Sequence, residues 1–151
     1  MRDDGFIAYG AKRAAALALE AEILPANKVV LFQALSDVGI HTVVVSFDGY
    51  GDEGQIESVV ARDVDGVEVA NPLVDLTVKE VAFDDCAIIE TLMPPRDLIE
   101  TMAYKFLEQT HRGWENGDGA CGEFTFDVAE QSITLEYNER YIETHYHEHE
   151  F

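Results

Sequence analysis

The sequence is poor in positive charge. It has 10 Lys and Arg against 30 Asp and Glu, giving a net charge of −20 and a pI near 4.3. A field of that sign repels phosphate backbones and anionic lipid surfaces, which argues against direct binding of nucleic acid or membrane. The expected partners are cations, basic protein surfaces or the nucleic-acid-binding groove of another protein. Acidic surfaces also increase solubility and are typical of salt-adapted proteins, so the charge alone does not decide between these explanations.

Cysteine and long apolar runs are scarce as well. Cys86 and Cys121 are the two cysteines, and their spacing predicts neither a disulfide framework nor a Cys-x-x-Cys metal site. No apolar run approaches the ~18–20 residues of a membrane span. Acids at Asp3 and Asp4 stand where a signal peptide needs positive charge. We therefore expect a cytoplasmic protein, and the 151 residues with 47% hydrophobic content predict a single folded domain.

The first 38 residues are predicted to form a helical hairpin. Residues 10–24 are rich in Ala and Leu, which are strong helix formers. Pro25 is expected to end this helix or mark a corner, and Asn27 to cap a second helix. Gly39 suits the position just beyond the end of that second helix.

The remainder predicts an antiparallel sheet and one more helix. Residues 39–70 predict a β-meander, because two β-branched runs flank a glycine-rich loop and Asp65-Gly66 signals a tight turn. Residues 71–93 stay open between strand and helix. Residues 94–112 predict an amphipathic helix that starts at a proline pair, and residues 120–150 a β-hairpin. The fold class is α+β, with acids on the outer sheet face: Glu57, Glu123, Asp127 and Glu136.

Residues 48–54 form the first glycine loop, which combines three glycines with three acids. Asp48, Asp52 and Glu53, with Glu57 beyond, resemble a calcium loop in composition. The EF-hand pattern fails, because the third position is Tyr50 and the twelfth is Val59. Two alternatives stay open, a less regular divalent-cation site and a hairpin loop whose carboxylates cap backbone N–H groups.

Residues 113–122 form the second glycine loop, which contains the single tryptophan of the chain. As a recognition edge it would use Trp114 as the anchor. The polar binding candidates beside it are Glu115, Asn116, Asp118 and Glu123. As a connector it would pack Trp114 on the core. We predict that the two glycine loops lie side by side at one end of the sheet, where backbone N–H groups, Arg140 or a cation must offset the repulsion between their acids.

Catalytic motifs are missing, and metal-binding signals are weak. Neither cysteine has a neighbouring basic residue, and the sequence contains no Gly-x-Ser-x-Gly elbow, phosphate loop or dinucleotide fingerprint. His145, His147 and His149 share one face of an extended chain and could hold zinc or nickel, although histidines near a chain end often bind metal adventitiously. The metal candidates are thus Asp48, Asp52 and Asp118 together with these histidines, and no cofactor beyond a divalent cation is expected.

Three motifs resemble those of a family of small uncharacterised bacterial proteins, a domain of unknown function often carried on mobile elements. They are Asp48-Gly49-x-Gly51-Asp52-x-Gly54-x-Ile56, Gly113-Trp114-Glu115-Asn116-x-Asp118-Gly119-x-x-Gly122 and Asn138-Glu139-Arg140-Tyr141. The resemblance covers roughly residues 30–151 and implies no known activity. A mobile-element setting favours an accessory or counter-defence role by association only.

Two functional hypotheses follow. The leading one is a non-enzymatic interaction protein whose acidic face binds a basic protein surface, and its sharpest version is a nucleic-acid-mimic inhibitor of a defence nuclease of the CRISPR or restriction type. The alternative is a divalent-metal protein or metal-dependent hydrolase using Asp48, Asp52, Glu115 and Asp118. Convergence of these four carboxylates would favour the metal hypothesis, because metal ligands sit about 2.0–2.6 Å from the ion.

Overall fold

The computed structural model describes residues 4–51, 53–82 and 87–151, excepting the side chains of residues 4–9. Its helices are α1 (Asp4–Asp37) and α2 (Pro95–Thr110). Its strands are β1 (Ile40–Tyr50), β2 (Glu53–Asp63), β3 (Glu68–Val69), β4 (Leu76–Ala82), β5 (Ala87–Met93), β6 (Ala120–Asp127) and β7 (Ser132–Glu139). The α+β class predicted from the sequence is confirmed.

A five-stranded antiparallel sheet forms the centre of the fold, in the order β3-β2-β1-β6-β7. The predicted meander supplies β1, β2 and β3, and the predicted C-terminal hairpin supplies β6 and β7. That hairpin is shorter than expected, since β7 ends at Glu139 and residues 140–151 have no regular secondary structure. Inward-facing side chains alternate along the strands and join both helices in one core, including Val43, Val45, Phe124, Phe126, Leu31, Phe32, Ile99 and Leu107.

The predicted N-terminal helical hairpin is wrong, because α1 is one continuous helix of 34 residues that includes Pro25. A proline removes one backbone hydrogen bond and usually kinks or breaks a helix. Leu31, Phe32 and Leu35 on the turns after Pro25 are buried, and this burial stabilises the second half of the helix. Gly39 does adopt the left-handed conformation just after the helix, with φ 78°, and its N–H donates to Ser36 O at 3.0 Å.

The segment left open between residues 71 and 93 forms a separate two-stranded sheet of β4 and β5. Its alternation is weak because only Val78 is fully buried among the described residues of these two strands. Cys86, one of the two cysteines considered in the sequence analysis, lies outside the described residues. No helix in the part of the chain that the structure describes is both long and apolar enough to cross a membrane.

Asn27 does not cap a helix but joins α1 to β4. It is 7% exposed. Its Nδ2 donates to Lys79 O at 2.8 Å, and the Lys79 N–H donates to Asn27 Oδ1 at 2.9 Å. The two bonds satisfy both backbone groups of Lys79 on the side of β4 away from β5.

Replacing Asn27 with alanine is expected to lower the free energy of unfolding by about 2 kcal/mol, because it leaves a partly buried N–H and C=O of Lys79 without hydrogen bonds. Urea denaturation of N27A measures this. The matched control is Q33A, which removes an exposed amide whose Nε2 donates to Asp37 Oδ1 at 2.7 Å on the same helix. We expect Q33A to cost less than about 0.5 kcal/mol. Equal losses in the two variants would contradict the assigned role of Asn27.

Candidate functional site

The two glycine loops meet at one end of the central sheet, as predicted. β1 pairs with β6 so that Gly49 lies opposite Ala120. The Gly51 N–H donates to Gly117 O at 3.4 Å. Gly119 stands so close to the carbonyl of Gly49 that a Cβ atom on Gly119 would collide with it. The backbones of the two loops are therefore in direct contact.

Trp114 packs so closely on two glycines of the first loop that neither position has room for a side chain. Its indole lies over Gly49 and Gly54, which are opposite each other on β1 and β2. A Cβ atom on Gly49 would lie 2.6 Å from Trp114 Cε3, and one on Gly54 would lie 2.5 Å from Trp114 Cη2. Phe47 contacts the same ring edge-on, with centroids 5.5 Å apart and planes at 87°. Trp114 is 7% exposed. The second glycine loop is therefore a connector whose tryptophan packs on the core, and the indole is not available as a recognition anchor.

Arg140 offsets the charge of the first glycine loop. Its Nη2 lies 2.8 Å from Asp48 Oδ1, and its Nη1 donates to Gly49 O at 3.0 Å. The contact with the Asp48 carboxylate raises the pKa of Arg140. The sequence analysis requires backbone N–H groups, Arg140 or a cation to offset the repulsion between the loop acids. For Asp48, the structure provides Arg140.

The other acids and amides of the second loop differ in whether they have hydrogen-bond partners. Asp118 Oδ2 accepts the Ile142 N–H at 3.0 Å. Within the second loop, the Asn116 N–H donates to Gly113 O at 2.9 Å, and Asn116 O accepts the Gly119 N–H at 3.1 Å. Glu115 is half-buried, and its Oε2 accepts no hydrogen bond from the described residues.

The four carboxylates of the metal hypothesis are not seen to converge. Asp52 lies outside the described residues, Asp48 pairs with Arg140, and Asp118 binds the backbone of the tail. Across residues 4–51, 53–82 and 87–151, no three His, Cys, Asp or Glu side chains are placed to hold a metal ion. His145, His147 and His149 are all exposed in the C-terminal segment. No observation among these residues favours the metal hypothesis.

An aromatic stack closes the inner side of the same sheet end. His111 stacks on Tyr137 with centroids 3.6 Å apart and planes at 6°, and Tyr137 in turn stacks on Phe47 at 6.2 Å. Burial raises the pKa of Tyr137, with the charges of Glu139 and Glu115 adding to the effect. The phenol therefore stays protonated to higher pH than a free tyrosine, and the stack acts as packing between β7 and the residues that follow α2.

The outer face of the sheet carries the unpaired acids. Glu123 on β6 lies directly opposite Glu136 on β7, and both are exposed. Asp127 lies on the same face of β6, four residues further on. None of these three carboxylates forms an ion pair within the part of the chain that the structure describes. Like charges directly opposite each other on a sheet are destabilising, so this arrangement does not serve the stability of the fold.

Two further candidate acids lie at the edge of this face. Glu53 begins β2 and is exposed. Glu57 is also exposed, and it stands at a register shift between β1 and β2, where no residue of β1 pairs with it. Its Oε1 accepts a hydrogen bond from Gln55 Nε2 at 3.3 Å. Glu57 therefore has no pairing partner on β1, but it lines one pocket together with Asp48, Glu53 and Gln55.

Sequence reasoning missed the tyrosine that covers the free edge of β2. The Ile56 N–H donates to the Tyr104 hydroxyl at 2.9 Å, which joins α2 to this strand. β3 pairs only with Ala61 and Arg62 of β2, so it does not reach Ile56. Tyr104 lies beside the apolar stripe of α2, and nothing in the helical spacing distinguishes it from an ordinary exposed tyrosine.

Comparison with known proteins gives one family. Residues 23–151 match a model described as a family of unknown function, DUF6878, starting somewhat earlier than the roughly 30–151 expected from the motifs. No curated protein and no solved structure gives a significant match.

Proposed function

We propose that this protein, which belongs to the family of unknown function DUF6878, is a non-enzymatic interaction protein whose acidic outer sheet face binds a basic protein surface. The defined surface is the acidic face, consisting of Glu123, Asp127 and Glu136. The observation that carries the proposal is the direct opposition of Glu123 and Glu136 without a counter-charge among the described residues.

The geometry of the acidic face suits a cationic partner. Directly opposed residues on a sheet are about 5 Å apart, so Glu123 and Glu136 form a close negative pair. Asp127 lies four residues along β6, about 13 Å from Glu123, and extends the negative charge along the same face. A basic side chain placed between Glu123 and Glu136 would relieve the repulsion that the free protein carries. Complementary charge of this kind contributes mainly to specificity and to the rate of association.

The most specific form of the proposal is a nucleic-acid mimic that inhibits a defence nuclease in the cytoplasm, as part of a mobile-element counter-defence system. The net charge of −20 supports it, because the groove of such an enzyme is built to accept a phosphate backbone. The rigid sheet also supports it, since carboxylates on β-strands are held at fixed spacing. A metal-dependent hydrolase has no supporting observation in the described residues.

The test is a cleavage assay in which a candidate restriction or RNA-guided nuclease is titrated with the protein. We expect the triple variant E123Q/D127N/E136Q to inhibit at least about tenfold more weakly than the natural sequence, since several charge contacts are lost together. Raising the salt concentration from 50 to 200 mM should weaken the natural protein by about tenfold or more. Inhibition that does not depend on salt would refute the electrostatic basis.

The matched control is E22Q/D75N/E90Q, which removes three exposed acids elsewhere and changes the net charge by the same amount. It should inhibit like the natural sequence. If both triple variants lose inhibition equally, total charge is the cause and the acidic face has no special role. Urea denaturation of each variant confirms that the fold is retained.

A further inference from the structure

A groove between α1 and α2 has three cations and two acids in its lining, on a chain whose net charge is −20. It has a volume of about 590 Å³. Its lining includes Arg13, Lys105 and Arg112, which are three of the 10 Lys and Arg in the chain. Ala16, Leu17 and Ala21 give it an apolar floor. The groove thus has a small excess of positive charge over an apolar floor, on a chain that is otherwise strongly acidic.

Two of the three groove cations have no counter-charge. Lys105 Nζ pairs with Glu20 Oε2 at 2.9 Å. Arg13 and Arg112 form no ion pair within the described part of the chain, and Glu108 is the one remaining acid among the groove-lining residues. The groove therefore favours an occupant with both acidic and apolar side chains.

The tail, defined as residues 141–151, has this composition. It carries Glu143, Glu148 and Glu150 and contains no Lys or Arg. Its large apolar side chains are exposed, with Tyr146 at 82% and Ile142 at 78%. Exposed apolar groups of this size on a water-facing segment are typical of an interaction site. Every residue of the tail is exposed in the single chain, so the chain's own groove is not filled by it.

We propose that the tail of a second copy of this chain occupies the α1–α2 groove, so that two copies exchange tails reciprocally. Arg13 and Arg112 face the glutamates of the partner's tail, and its tyrosine and phenylalanine side chains contact the apolar floor. A two-fold arrangement makes the same contact twice and closes on itself, which is the common form of homodimer. The exchange does not use the acidic face, so it is independent of the proposed function.

Sedimentation equilibrium on the full chain tests the exchange. We expect a concentration-dependent dimer at low salt. The groove variant R13E/R112E and the tail variant E148R/E150R should each raise the dimer dissociation constant at least about tenfold, because each places like charges together. R96E reverses one charge on the exposed start of α2, away from the groove, and should leave the dimer unchanged.

An equimolar mixture of the groove variant and the tail variant distinguishes exchange of tails between two copies from binding of the tail to the groove of its own chain. In a mixed dimer, each groove meets a tail of opposite charge, so we expect dimerisation to return. If the natural chain is monomeric at all concentrations, the proposal is overturned. A dimer that survives both charge reversals, or one that the mixture does not restore, also overturns it, since the interface then lies elsewhere or the tail binds its own groove.

Discussion

Replacing Gly119 with alanine is expected to lower the free energy of unfolding by about 2–5 kcal/mol. The residue has φ 78°, a left-handed conformation that costs an L side chain roughly 1–2 kcal/mol. A Cβ atom there would also collide with the backbone carbonyl of Gly49, and overpacking of this kind typically costs about 1–3 kcal/mol. The carbonyl cannot easily retreat, because Gly49 is paired with β2 on one side and β6 on the other.

Gly117 offers a matched control two residues earlier. It also has a left-handed φ, 65°, but a Cβ atom there would meet nothing within 4 Å. G117A should therefore cost only about 1–2 kcal/mol from the backbone conformation. Urea denaturation of G119A and G117A gives the difference, which measures the close approach of the two glycine loops. If the two variants are equally stable, that close approach does not constrain the fold.

Replacing Trp114 with alanine is expected to cost about 3–5 kcal/mol, the usual range for removing a large buried aromatic side chain. The indole fills the space above Gly49 and Gly54 and contacts Phe47 edge-on, so its loss leaves a cavity bounded by two strands. Thermal or urea denaturation followed by circular dichroism measures the effect, since the variant lacks the only tryptophan.

Tyr50 is the control for W114A, because it is an aromatic residue of the first glycine loop that is 73% exposed. Y50A should change the free energy of unfolding by less than about 0.5 kcal/mol. If W114A unfolds at the same urea concentration as the natural sequence, Trp114 does not support the loops, and its role as a recognition anchor becomes the better explanation.

The sequence was sufficient to predict the sheet and the meeting of the glycine loops. Alternating apolar residues in β1 and β6 define one buried face, and glycine-rich loops at matching ends follow from antiparallel pairing. It was insufficient for α1, because Pro25 is a strong local signal for a helix end and the burial that overrides it involves residues distant in sequence. It was insufficient for β4 and β5 as well, since all their side chains except that of Val78 are partly or fully exposed and leave little periodicity to detect.

The candidate site shows the same division. The composition of the first glycine loop indicated either a cation site or a capped hairpin, and the sequence could not choose. Gly49 and Gly54 lack a side chain at positions where the indole of Trp114 leaves no room for one. Trp114 is about sixty residues away in the chain, so only the three-dimensional arrangement reveals this contact. The charge of the outer face, by contrast, was visible in the alternation of β6 and β7, where Glu123 and Glu136 were both assigned correctly to the side opposite the core.

The pairing of β1 with β6 has a consequence for the order in which the chain folds. It joins Thr42 to Asp127 and Gly49 to Ala120, contacts that span 85 and 71 residues of sequence. Closing a loop of that length costs chain entropy before any contact offsets it, whereas the β1–β2 and β6–β7 hairpins close locally. The two hairpins are thus free to form early, and their joining is the slow, high-contact-order step. Trp114 can pack on Gly49 and Gly54 only when the two hairpins have joined. We therefore expect this packing to form late in folding and not in the folding nucleus.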